Sequence, residues 1–152
     1  MRSEAEKVLN DLLVKLFNDI LKIEEKSLRE GDFSDLSVTE MHIIEAIGRN
    51  MEKTMSEVAG VLNVTVGTLT TAINRLIRKG YVERKRIEED RRVVLIKLTE
   101  KGDLAFINHE KFHNDMIQGI LEDLSEEHKG IFIDSLKKVT YFFESKYNLI
   151  IK

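Results

Sequence analysis

No cysteine and no proline occur among the 152 residues. The first absence excludes disulfides, thiolate nucleophiles, cysteine-ligated zinc and thiol-based redox sensing together. The second removes the residue that most sharply interrupts helices, so a mostly helical chain is expected. No uninterrupted apolar stretch approaches the 18 or so residues that cross a bilayer. The segment from Met1 to Lys15 alternates charge with apolar residues instead of building the centre of a secretory signal. These two readings predict a cytoplasmic protein with no membrane partner. An overall positive charge is lacking too: the formal net charge is -3 and the pI about 5.9, far from the values above about 9 that advertise a nucleic-acid binder.

What is present is a globular mixture, 42% hydrophobic and 34% charged. A chain of this length buries about 68 to 70% of its unfolded surface, so no metal or other required cofactor is expected for folding. The charge is unevenly placed. Residues 75–92 carry eight Lys or Arg against four Asp or Glu, net +4, whereas the other 134 residues carry 16 against 23, net -7. Such segregation gives a local electrostatic footprint on an acidic molecule.

Apolar residues at Leu9, Leu13, Leu16, Ile20 and Ile23 step by 4, 3, 4 and 3 and predict a helix from Glu4 to about Arg29, stopped by Gly31. Ser37 with Glu40, and Thr54 with Glu57, are capping boxes that open a second helix to about Gly48 and a third to about Leu62. Thr65 caps a fourth helix, reaching Lys79, whose apolar side is Leu69, Ile73, Leu76 and Ile77. Two strands, residues 81–86 and 93–98, flank a loop without glycine, longer than a tight turn. Thr99 opens a fifth helix to about Leu124 and Ser125 a sixth to about Tyr147, the latter striped by Phe132, Leu136, Val139 and Phe143. The expected organisation is an N-terminal dimerisation helix (1–36), a winged helix-turn-helix (37–98) and C-terminal dimerisation helices (99–152), an all-α chain with a small β-hairpin wing.

The fourth helix turns Thr68, Thr71, Asn74, Arg75 and Arg78 outward, a face with no acid and no large apolar residue. Such a helix fits the major groove of double-stranded DNA, where Asn pairs with adenine, Arg with guanine, and a Thr methyl meets that of thymine. The DNA-binding set is Thr65, Thr68, Thr71, Asn74 and Arg75 on the helix, with Arg91 and Arg92 in the wing. Arg84, Lys85 and Arg86 supply further charge to the phosphates, and an arginine at the wing tip reaches the minor groove. Asp90 is expected to pair with Arg92 and brace the loop. A solvated basic face, or a winged helix serving protein interaction, remains open on the residues alone. HEKFH, residues 109–113, matches the H-E-x-x-H of zinc hydrolases, but no further ligand stands at a familiar spacing downstream, and an enzyme is not expected.

Residues 54–102, including the D-x-R of Asp90 and Arg92 and the L-T-x-x-G of Leu98, Thr99 and Gly102, resemble the DNA-binding core of the MarR family of bacterial transcriptional regulators. The similarity runs over nearly the whole chain. It implies a homodimer whose first and last helices interleave and whose paired winged domains read a pseudo-palindromic operator. Within the family, residues 23–48 and the segments VTVGTLTT and DRRVV are similar to the repressor of fatty-acid synthesis genes of Gram-positive bacteria. That implies a long-chain acyl ligand delivered on acyl carrier protein. MarR-type repressors of zinc uptake offer the alternative: their ligands match Glu24, His42, His109 and His113, although the second, cysteine-containing site of those repressors has no counterpart here.

Overall fold

The computed structural model describes residues 1–148, which divide into two compact units, the second beginning at His42. In the N-terminal unit, α1 (Glu4–Glu30) starts at Ser3 in a capping box: Ser3 Oγ accepts the Glu6 N–H, and the Glu6 carboxylate accepts the Ser3 N–H. Those hydrogen bonds from Ser3, backbone first and hydroxyl second, hold the Glu6 carboxyl below its ordinary range. Gly31 ends the helix, its N–H reaching the Leu28 carbonyl. The apolar stripe foreseen on this helix is present and largely exposed in the single chain, with Leu9, Leu13, Leu16, Phe17 and Ile23 all open to solvent.

Ser37 and Glu40 close the expected capping box and start α2 (Val38–Ile47), whose second half lies in the larger unit. Gly48 at φ 80° takes the left-handed conformation after the helix. Lys53 donates to the Ala46 carbonyl at 2.8 Å, setting a cation where the helix dipole is negative. Lys53 and Thr54 also form a short strand, β1 (Lys53–Thr54), that the sequence reading did not foresee. Thr54 then caps α3 (Met55–Leu62), with the Glu57 carboxylate returning the bond at 2.7 Å. Asn63 at φ 53° ends α3 in the left-handed region, where its side chain is tolerated. Thr65 at once caps α4 (Val66–Arg78).

Leu69, Ala72, Ile73 and Leu76 bury one side of α4, while Ile77, expected with them, is only half-buried. Gly80 at φ 86° reverses the chain into β2 (Val82–Arg86), which pairs antiparallel with β3 (Val94–Leu98) from Val82 opposite Leu98 to Arg86 opposite Val94. The expected two-stranded hairpin is present, and β1 adds a third strand along the other edge of β3, giving the order β1-β3-β2. The sequence marks Thr54 only as a helix cap and gives no sign at Lys53; β3 supplies the backbone partners, Ile96 and Leu95, that make the two a strand. Met41, Ile44, Ile47, Val58, Tyr81 and Ile96 are among the fully buried side chains.

Thr99 caps α5 (Glu100–Glu122), and Ser125 caps α6 (Glu126–Tyr147). The start of α5 is tied to the α4–β2 reversal: Thr99 donates its N–H to the Tyr81 carbonyl at 3.0 Å and its hydroxyl to the Gly80 carbonyl at 2.6 Å, and Lys101 donates to the Lys79 carbonyl at 2.9 Å. No residue of α6 is buried, and its expected stripe of Phe132, Leu136, Val139 and Phe143 stands in solvent in the single chain. Among the described residues no helix is long and apolar enough to cross a membrane.

Candidate nucleic-acid interface

Burying Leu69, Ile73 and Leu76 turns Thr65, Thr68, Thr71, Asn74, Arg75 and Arg78 outward, and all six are exposed. At the start of the helix, the Thr65 hydroxyl accepts the Thr68 N–H at 3.2 Å and donates to the Thr68 hydroxyl at 3.0 Å. The two threonines thus form one polar corner at the positive end of the helix dipole. Thr70 ties its hydroxyl back to the Val66 carbonyl at 2.8 Å. Farther along, Arg84 of β2 donates from Nη2 to Oδ1 of Asn74 at 2.6 Å. This bond places Arg84 against the helix face rather than with the outlying cations of the hairpin, where the sequence reading had put it.

In the wing, Glu83 and Asp90 are answered locally. Glu83 stands opposite Lys97 in the ladder, and the two meet at 2.9 Å. The hydrogen bond and charge of Glu83 hold the Lys97 ammonium above its ordinary range. Asp90 accepts the backbone N–H of Arg92 through Oδ1 at 3.0 Å, with the Arg92 guanidinium 3.8 Å from the same oxygen. A further backbone bond runs from the Val93 N–H to the Asp90 carbonyl at 3.0 Å, and Ile87 donates to the Val93 carbonyl at 3.2 Å, closing the tip. Arg91 and Arg92 project from it, the Arg92 side chain 96% exposed. The hairpin accordingly offers its arginines outward, while Glu83 and Asp90 are each engaged by a neighbouring cation.

A second polar group lies where α2 meets α5. His109 is buried, and its Nε2 sits 3.0 Å from Nε2 of His113, a pair in which one ring donates and the other accepts. Glu45 Oε1 approaches both, at 3.4 Å from His109 and 3.6 Å from His113. His42, Glu45 and His109 present ligand atoms within 4.8 Å of one another. Glu45 was not singled out in the sequence, because only packing of α2 on α5 reveals it. Glu24, the fourth expected member, is buried on α1 in the N-terminal unit.

Comparison with known proteins places this geometry in context. The MarR family pattern matches residues 36–94. The chain is 33% identical to the HTH-type transcriptional regulator SarZ of Staphylococcus haemolyticus (strain JCSC1435), over 69% of this chain and 70% of that one. It is 32% identical to the HTH-type transcriptional repressor YetL of Bacillus subtilis (strain 168) over 73% of its own length, but spans only 63% of that relative. The crystal structure of Streptococcus pneumoniae FabT in complex with DNA superposes with a TM-score of 0.87 at 43% identity, covering 91% of this chain and 97% of the other. SarZ and YetL are regulators of transcription, which sets aside a hydrolase built on HEKFH. A polar recognition-type helix, a charged hairpin at its side and this set of relatives agree: the chain belongs to the MarR family of DNA-binding transcriptional regulators.

Proposed function

We propose that the protein is a homodimeric repressor whose α4 enters the major groove of an operator and whose wing tip tracks the adjacent backbone. The observation that carries this reading is the α4 face itself: six exposed residues from Thr65 to Arg78 without a carboxylate, in a chain that is acidic elsewhere. Thr65 and Thr68 serve the phosphates at the helix start; Thr71, Asn74 and Arg75 face base edges. Arg91 and Arg92 grip backbone or minor groove, and Asp90 keeps their loop closed. Homodimerisation is supported by the exposed apolar faces of α1 and α6, too extensive for a lone soluble chain. A two-fold partner would set the two recognition helices roughly 34 Å apart.

The regulated genes on this reading are those of fatty-acid synthesis, in the cytoplasm, with a long-chain acyl group on acyl carrier protein as effector. The sequence resemblance of residues 23–48 supports it. So does a cavity of about 480 Å³ in the N-terminal unit, lined by Leu21, Leu28, Leu36 and Val38 together with Glu25 and Arg29, within the size range of small-ligand sites. Footprinting on duplex DNA tests the operator reading; protection of two sites one helical turn apart is expected, and protection of none would reject it. Native mass spectrometry of the purified protein tests the effector.

The His42, Glu45 and His109 group, with His113 beside it, favours a second reading as a zinc-responsive repressor. Two imidazoles and a carboxylate are ligand types that suit zinc, which would crosslink α2 to α5. Added zinc would then strengthen operator binding by the intact protein and leave a His109→Ala variant unaffected.

A further inference from the structure

The bond between Arg84 and Asn74 bears on what the recognition helix can read. An arginine side chain has donors only, so the asparagine end turned toward it must be the carbonyl. The contact is charge-assisted and short, 2.6 Å. It crosses from one element to another: Asn74 lies near the end of α4, and Arg84 lies ten residues on, past the Gly80 reversal. Strand alternation explains the reach. Val82 is buried, so Val82, Arg84 and Arg86 share the side of β2 that turns toward the helix, and Glu83 and Lys85 take the other.

We infer that Arg84 is a specificity-determining residue: by holding Oδ1 of Asn74 toward the wing, it presents Asn74 to the groove as a hydrogen-bond donor through Nδ2. A clasp of adenine needs the carbonyl and the amide side by side, one accepting from N6 and the other donating to N7. The guanidinium takes one lone pair of Oδ1 and turns that oxygen toward the wing, so Asn74 meets the base with Nδ2 and reads an acceptor instead. Purine N7, guanine O6 and thymine O4 all qualify, whereas cytosine offers a donor in the major groove. The wild-type protein therefore discriminates at this base pair against cytosine and tolerates the other three bases. Arg84 acts on the base through Asn74, without touching it. The inference rests on the proposed entry of α4 into the major groove.

Selection and sequencing of a randomised duplex library tests it, using the intact protein and four variants: Asn74→Ala, Arg84→Met, Arg84→Lys and the Asn74→Ala, Arg84→Met double change. Asn74→Ala should make one position of each half-site indifferent to base. At that position Arg84→Met should enrich adenine over guanine and thymine by roughly tenfold, because the released amide can form the two-bond clasp. Arg84→Lys, which keeps a donor, should retain the wild-type profile, and the double variant should match Asn74→Ala. An Arg84→Met profile identical to wild type, with affinity reduced equally on all sequences, would mark Arg84 as a phosphate contact and overturn the inference. If Asn74→Ala left every position unchanged, the groove reading of Asn74 and this inference would fall together.

Discussion

Gly102, in the first turn of α5, packs so closely on Tyr81 that a Cβ at this position would lie 2.2 Å from the Tyr81 carbonyl oxygen. That oxygen is also the acceptor for the Thr99 N–H, so it cannot withdraw without breaking the seam between α5 and the wing. Gly102→Ala is expected to destabilise the protein by about 1 to 3 kcal/mol through overpacking. At Gly60, on α3, an added Cβ meets nothing within 4 Å. Gly60→Ala should stabilise by up to about 1 kcal/mol through helix propensity. Thermal unfolding of both variants checks the opposite signs.

Loss of the wing arginines should be visible in the salt dependence of DNA binding. A dimer neutralising about eight phosphates gives a slope of log K against log salt near -7. Arg92→Ala removes one cation from each wing and should bring the slope about 2 closer to zero, with the dimer intact. An unchanged slope in titrations at several salt concentrations would remove Arg92 from the interface.

Asp90 separates into two roles by substitution. Asp90→Asn keeps an acceptor for the Arg92 N–H but loses the charge opposite the guanidinium; Asp90→Ala loses both. Affinity should fall little for the first and by up to about tenfold for the second, in line with a loop hydrogen bond of about 1 kcal/mol. If Asp90→Asn instead tightened binding as strongly as a gained cation, repulsion of phosphate would be the dominant effect of this carboxylate.

The exposed face of α6 gives the test of assembly. Sedimentation of the wild-type protein should show a dimer. Placing a charge within the stripe, as in Phe132→Glu combined with Phe143→Glu, should yield monomers and weaken operator binding at least 10²-fold, since both half-sites no longer bind as one unit. A monodisperse dimer from this variant would move the interface elsewhere.

How much of this was visible beforehand depends on whether the determinants were local. Helix α3 was legible at both ends because Thr54 and Glu57 cap each other across one turn, and Asn63 takes the left-handed conformation its short amide permits. The outward face of α4 followed from helical period alone. Strand β1 was not legible: two residues, one of them the cap of α3, carry no alternation, and only pairing with Leu95 and Ile96 makes them a strand. The HEKFH spacing showed that His109 and His113 share a face, but Glu45 joins them through tertiary packing. Arg84 looked like one more cation of a basic ribbon until the Gly80 turn brought it to Asn74.

The three bonds that fasten Thr99 and Lys101 to the Lys79, Gly80 and Tyr81 carbonyls have a mechanical corollary. They clamp the base of α5 to the C-terminal end of α4. With 23 residues, α5 is about 34 Å long, and such a rod, held fast by that clamp, has the proportions of a lever. A few degrees of swing at its distant tip would re-aim the reading head, with no need for the winged region itself to deform.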